Sequence, residues 1–331
     1  MVPSVVPSVV PSVVPSPAPS PAASASAAAT DDGPAAAGPL GGRFDERFLR
    51  RLEALTLAAR RTTAGQHRGG RRSRRLGAGL EFADHRDYAA GDDIRHLDWN
   101  LYGRLGRLAL RRYEEDQDLS IDLLVDASAS MAFGVPPKLD LALQLAAALA
   151  YIGLANLDRV APTAFGAETS SLPPARGKGR ILPILRFLDA VTPTGRTSLA
   201  AAVAGRLARR SERRGLAILI SDFYDAAGAR AALEVIRRHR LQAVAIQVSA
   251  PDELAPILRG DLTLRDAETG EERELTVSPK VLAACARRHT AMLRELESYC
   301  RTQAIPCFTT SSAEPFEAVV LRMFRTGGLL R

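Results

Sequence analysis

The chain has 331 residues, of which 46% are hydrophobic, 24% charged and only 5% aromatic. That apolar share supports a packed core and excludes wholesale disorder, and the length allows one or two domains plus tails. Three cysteines without a C-x-x-C pair exclude a disulfide scaffold or an all-cysteine zinc site, and the five scattered histidines form no H-E-x-x-H or H-x-x-x-H pair.

The net charge of +7 is local. Residues 1–42 carry only Asp31 and Asp32, whereas residues 43–75 hold eleven arginines against three acids, so the rest of the chain is nearly neutral. Residues 1–16 repeat a Val-Val-Pro-Ser unit, and Ala, Pro, Ser and Gly dominate to residue 39. Proline at every fourth position blocks a helix and an apolar targeting core, so 1–42 reads as a disordered tail. Leu141–Leu157 is the most membrane-like stretch, but Gln144, Asn156 and the nearby Asp140 mark it as a buried helix. No membrane span is expected, and the expected location is the cytoplasm.

Residues 43–118 form an N-terminal segment. Phe48, Leu49, Leu52 and Leu55 predict an amphipathic helix over 44–62. A Gly- and Arg-rich loop follows, with Arg68, Arg71, Arg72, Arg74 and Arg75. A nucleic-acid contact would use such charges, but no aromatic residue is interleaved for base stacking, so a solvated loop is the simpler reading. From Gly77 to Asp118, opposite charges alternate around Phe82, Tyr88, Ile94, Leu97 and Trp99. This suits a small subdomain held by ion pairs, or an interaction surface.

From residue 119 to 331 the pattern alternates between apolar strands and helices. Strands are expected at 119–125, 159–165, 216–221, 241–248 and 306–309. Helices are expected at 138–157, 180–191, 197–210, 227–239, 279–302 and 313–325. This predicts an α/β fold with a doubly wound, mostly parallel sheet. A charged turn at Glu268-Thr269-Gly270-Glu271 marks an inserted hairpin near 261–276.

Three polar sites fall at the ends of these elements. Asp126-Ala127-Ser128-Ala129-Ser130 closes the first strand, Thr197 precedes a helix, and Asp222 follows the strand 216–221. Two carboxylates and three hydroxyls suit a hard divalent cation such as Mg²⁺ or Mn²⁺, which takes oxygen ligands and keeps several waters. Asp225 is a competing candidate for the third position. A strand-to-helix turn, with Asp126 and Ser128 capping backbone groups, would use the same residues without a metal.

The D-x-S-x-S run, the distal Thr197 and the later Asp222 resemble the metal-ion-dependent adhesion site of von Willebrand factor A domains. Upstream, Gly79-Leu80-Glu81-Phe82, Arg86-Asp87-Tyr88, Gly91-Asp92-Asp93-Ile94-Arg95 and Asp98-Trp99 resemble the signature of a bacterial family, DUF58, which joins this segment to a von Willebrand A-like domain. The likeness runs from about Phe44 to Arg331. It implies metal ligation by Asp126, Ser128, Ser130, Thr197 and Asp222. It also implies partnership with a MoxR-type AAA+ ATPase and client proteins in chaperone-like complex maturation. Phe223 stands where many adhesion-type domains have glycine, which suggests a narrowed pocket or a ring packed beneath it.

The expected function is thus non-enzymatic: a Mg²⁺-dependent module that binds an acidic side chain of a partner. The alternatives are nucleic-acid binding through the 68–75 loop and a metal-dependent hydrolase. The hydrolase reading lacks a G-x-S-x-G elbow, and the three lysines stand in no convincing register with either loop. A phosphate-binding P-loop fails at Thr194–Ser198, where Arg196 replaces the lysine and Ala190 the first glycine.

Overall fold

In a computed structural model, the structure describes residues 42–64, 76–77, 81–89, 92–114, 119–196, 198–210, 215–254, 260–266, 268 and 270–326. The expected tail, most of the basic loop and Thr197 lie outside the described residues. In chain order the elements begin with α1 (Glu46–Ala64), β1 (Leu76–Gly77), β2 (Glu81–Asp87), α2 (Trp99–Leu105) and β3 (Ala109–Glu114). Then come β4 (Ser120–Asp126), α3 (Lys138–Ala155), β5 (Arg159–Phe165), β6 (Thr169–Ser171), β7 (Ala175–Arg176), α4 (Ile181–Asp189), α5 (Leu199–Ala208) and β8 (Leu216–Ser221). The chain continues through α6 (Ala226–Arg238), β9 (Gln242–Ser249), α7 (Pro251–Leu254), β10 (Gly260–Arg265), β11 (Glu272–Val277), α8 (Pro279–Thr302), β12 (Cys307–Ser311) and α9 (Phe316–Arg325).

The chain divides into two compact units: one spans 61–118, and the other holds 1–60 and 119–329. This corrects the expectation that the first helix belongs with the 43–118 segment. Phe44, Phe48 and Leu52 are buried, and the Phe48 ring packs 5.0 Å from that of Phe316 on α9. Arg43 adds an ion pair to Asp140 at 2.6 Å. The helix thus buries its apolar stripe on the larger unit.

In the smaller unit, β1, β3 and β2 form an antiparallel sheet in that order. Ion pairs join Arg86 to Asp92 at 2.5 Å and His85 to Asp98 at 2.8 Å, as the alternating charges suggested. Asp98 also caps α2, accepting from the backbone N–H groups of Asn100 and Leu101. Trp99 stays 65% exposed and meets Tyr102 edge-on.

The larger unit is built on a sheet of order β12-β9-β8-β4-β5-β6, with β7 also on β5. The pairs from β12 through β5 are parallel, and β6 and β7 run antiparallel to β5. Strands covered on both faces need continuous apolar runs, and every residue of β4 and β8 is buried. On one face Leu124, Leu219 and Ala245 pack with Val203, Leu233 and Cys300 of α5, α6 and α8. Helix α3 packs on β4, β5 and β9 together with α4 and α9. Among the described residues only α3 is long and apolar enough to cross a membrane, and 89% of it is buried in the fold. Asp122, 1% exposed on β4, is held by Arg206 at 2.8 Å and Arg210 at 2.7 Å at the end of α5.

The chain leaves β4 for β5 on one side and later returns to β8 on the other. The carboxyl ends of β4 and β8 therefore flank a topological switch point, where open α/β sheets gather ligands. The hairpin arrives as predicted: β10 and β11 pair antiparallel from Gly260↔Val277 to Arg265↔Glu272.

Candidate metal-binding site

Asp126 is the last residue of β4, and Asp222 follows the last residue of β8. Because Val125 pairs with Ile220 in parallel register, both aspartates leave the sheet at one level. Both are 3% exposed. Ser128 and Ser130 lie in the short turn before α3, 2% and 1% exposed. Their Oγ atoms are 3.1 Å apart, and the Ser130 hydroxyl donates to Asp222 Oδ2 at 2.9 Å across 92 positions of sequence. Four of the five expected ligands thus come together, and the fifth, Thr197, lies outside the described residues.

The carboxylates are oriented by donors on their outer side. Asp126 accepts from the Ser128 backbone N–H at 2.9 Å and from the Ser221 hydroxyl at 2.6 Å. Asp222 accepts from the Tyr224 backbone N–H at 3.2 Å. A hydroxyl that spends its proton on a carboxylate keeps its lone pairs for a cation, as Ser130 does.

The loop carrying Thr194–Arg196 is bound to the first loop by backbone hydrogen bonds. Ala129 N–H donates to the Gly195 carbonyl at 2.9 Å, and Thr194 N–H to that of Ala127 at 2.8 Å. Gly166 permits this approach: a Cβ there would stand 2.6 Å from the Ala127 oxygen and 2.7 Å from the Thr194 oxygen. Gly195 turns at φ +61, where a Cβ would also meet Ala167 at 2.6 Å.

Two expectations are refined. Asp225 caps α6 by accepting from the Gly228 N–H at 2.9 Å and is exposed, so Asp222 alone supplies the third-loop carboxylate. Phe223, at φ +56, is 1% exposed and packs into the core between α5 and α6, beneath the site.

One sequence expectation is overturned. Lys138, at the first position of α3, does reach the site. Its Nζ lies 2.7 Å from Asp222 Oδ2 and 2.6 Å from Glu253 Oε1, with the Tyr224 ring 4.6 Å away. It is 0% exposed, and Glu253 Oε2 accepts in turn from the Ala250 N–H at 2.8 Å. The partners lie 84 and 115 positions along the chain, so no local register exposes them. The available signal is a lone lysine opening a wholly apolar helix, in a chain that otherwise uses arginine.

The electrostatics follow from burial. Desolvation and the Asp222 charge push the Asp126 carboxyl up to about 6. Desolvation works against the Lys138 ammonium, but the Asp222 and Glu253 charges outweigh it and hold its pKa above the ordinary value. Glu268, in the hairpin turn, is pushed up to about 7 by burial and then by the charge of Asp222, with Asp126 adding to it. Burial, followed by the Glu253 charge, raises Tyr224 and keeps its hydroxyl protonated.

Among the described residues no group of three or more His, Cys, Asp or Glu side chains is arranged to hold a metal. The donor set here is instead two carboxylates and two serine hydroxyls, all oxygen. That set fits a hard cation in its chemistry, with Lys138 already offsetting part of the acidic charge. Neither Ser128 nor Ser130 touches a histidine. His289 instead contacts Ser249 at 3.2 Å, and Ser249 is 1% exposed, closed to a substrate.

The model of the family described as Protein of unknown function DUF58 matches residues 84–295. Uncharacterized proteins of Mycobacterium tuberculosis and Mycobacterium bovis are each 30% identical over 299 residues, covering 87% of this chain and 94% of their own. Among solved structures, the conserved hypothetical protein BatB from Bacteroides thetaiotaomicron superposes with a TM-score of 0.41 at 15% identity. The match covers 63% of this chain and 98% of BatB.

Proposed function

The chain belongs to the DUF58 family, and from that premise we propose that it is a non-enzymatic protein-interaction module built on a von Willebrand A-like unit. A Mg²⁺ or Mn²⁺ ion held by Asp126, Ser128, Ser130 and Asp222, with Thr197 completing the set, takes an acidic side chain of a partner. The observation that carries this reading is the convergence of two distant loops into one buried array of hydroxyls and carboxylates at the switch point. When bound, the cation supplies an electrophilic position that a carboxylate can fill. The chain's own residues do the rest. Ser128 N–H and Ser221 fix Asp126, Ser130 and Lys138 fix Asp222, and Phe223 seats the second loop on the core.

In this reading the partner is a MoxR-type AAA+ ATPase, the role is maturation of client complexes, and the place is the cytoplasm. Energy coupling belongs to the ATPase, because this chain carries no P-loop. The test is calorimetric titration of Mg²⁺ and Mn²⁺ into chelator-stripped protein, beside Asp126→Ala. Binding near one equivalent that disappears in the variant supports the site. Equal heats in both proteins, or none in either, refute it.

A further inference from the structure

The inserted hairpin delivers an acidic residue to the same place. Its turn is a closed unit: Asp266 N–H donates to the Glu271 carbonyl at 2.8 Å, and Gly270 N–H to the Asp266 carbonyl at 2.9 Å. Asp266, only 8% exposed, accepts from the Glu268 N–H at 2.8 Å and so fixes that backbone. The Glu268 side chain is 16% exposed although it sits at a hairpin tip, where side chains normally face water. Its carboxylate reaches Arg196 at 3.5 Å, and Arg196 belongs to the loop whose Gly195 carbonyl binds the Asp126–Ser130 turn. The charges of Asp222 and Asp126 both act on it. A carboxylate brought in toward two others, with one partly exposed arginine beside it, is poorly placed unless a cation lies between them.

We propose that Glu268 is an acidic ligand which this chain supplies to its own cation site, so that the hairpin tip fills the position a partner's carboxylate must take. This rests on the metal-site reading above and names what occupies that site before a partner arrives. A partner then binds by displacing the tip, and its apparent affinity is lowered by the fraction of molecules in which Glu268 is engaged. The hairpin is suited to such motion. Apart from Val277, the residues of β11 are exposed, and β10 and β11 pair only with each other.

The experiment uses the full chain, stripped of metal, as wild type, Glu268→Gln and Asp126→Ala. Mn²⁺ affinity is read by titration. A synthetic pentapeptide, Gly-Gly-Glu-Gly-Gly with blocked ends, then serves as the acidic probe on Mn²⁺-loaded protein. We expect Glu268→Gln to bind Mn²⁺ roughly 10-fold more weakly, the low end of what supporting groups at metal sites contribute. The loaded variant should bind the probe at least about 10-fold more tightly than wild type, because the competing tip is gone. Backbone amides of 260–277 should gain hydrogen-exchange protection on adding Mg²⁺ in wild type and not in Glu268→Gln.

If Glu268→Gln binds Mn²⁺ like wild type while Asp126→Ala does not bind, the metal site stands and the tip proposal falls. Weaker Mn²⁺ binding without any gain for the probe makes Glu268 a brace for the Arg196 loop, which also overturns it. If wild type itself binds no Mn²⁺, the metal-site reading fails and takes this proposal with it.

Discussion

Lys138→Met removes the ammonium from the site while keeping most of the side-chain volume. The structure sets the size of the effect. Asp222 and Glu253 both touch Nζ, at 2.7 and 2.6 Å, and their side chains are 4% and 7% exposed. Breaking a buried ion pair from one side costs about 3–5 kcal/mol, because the remaining charge stays buried without its partner. For a unit of this size a loss of that order lowers Tm by about 6–20 °C. The assay is urea and thermal unfolding in chelator, followed by circular dichroism. Adding Asp222→Asn to Lys138→Met should recover part of the loss, since one orphaned charge is then removed. Mg²⁺ at about 100 times its Kd should return about 2.7 kcal/mol to the single variant. A loss below about 1 kcal/mol, the same in single and double variants, refutes the idea that this ammonium holds the two carboxylates together.

Three further outcomes are expected. Asp126 has a folded-state pKa of about 6 against an ordinary 3.8, so the native state keeps a proton that the unfolded chain has lost between those values. Metal-free wild type should therefore lose up to about 3 kcal/mol as pH rises from 4 to 6 and then level off. Urea midpoints in chelator check this, and an identical slope in Asp126→Asn contradicts it. Gly166→Ala places a methyl 2.6 Å from the Ala127 carbonyl oxygen. It should cost about 1–3 kcal/mol and weaken Mn²⁺ binding by spreading the loops; unchanged calorimetric affinity would count against the loop-spacing argument. Asp122→Ala leaves Arg206 and Arg210 without their carboxylate, at 10% and 4% exposure. About 3–5 kcal/mol of stability should go while metal affinity measured below the new Tm stays the same.

The sheet was legible because its strands are covered on both faces. Continuous apolar runs such as Leu216–Ser221 have few other readings, and the helices between them made the parallel order the natural inference. Asp126, Ser128, Ser130 and Asp222 were legible because each sits at a strand end or in the adjoining turn. The domain boundary was not, because an amphipathic helix such as α1 shows that it has an apolar face but not what covers it. Phe316, which covers it, lies on the last helix. Lys138, Glu253 and Glu268 escaped for a related reason. Each is an ordinary charged residue locally and becomes part of the site only through contacts across the sheet's switch point or through the hairpin.

Helix α3 begins with two charges of opposite duty. Lys138 points into the carboxylate cluster, while Asp140, two residues later, grips Arg43 at 2.6 Å. Arg43 also donates from its backbone to Asp189 at 3.2 Å and stands just ahead of α1, the helix that leads toward residues 61–118. One helical turn is therefore both the electrostatic floor of the site and the mooring of the incoming chain. A rigid turn cannot move one of its residues by an ångström and leave its neighbour still. Charge arriving beside Lys138 is felt as tension on that mooring, so occupancy of the pocket and the set of the polypeptide entering the fold are mechanically one variable.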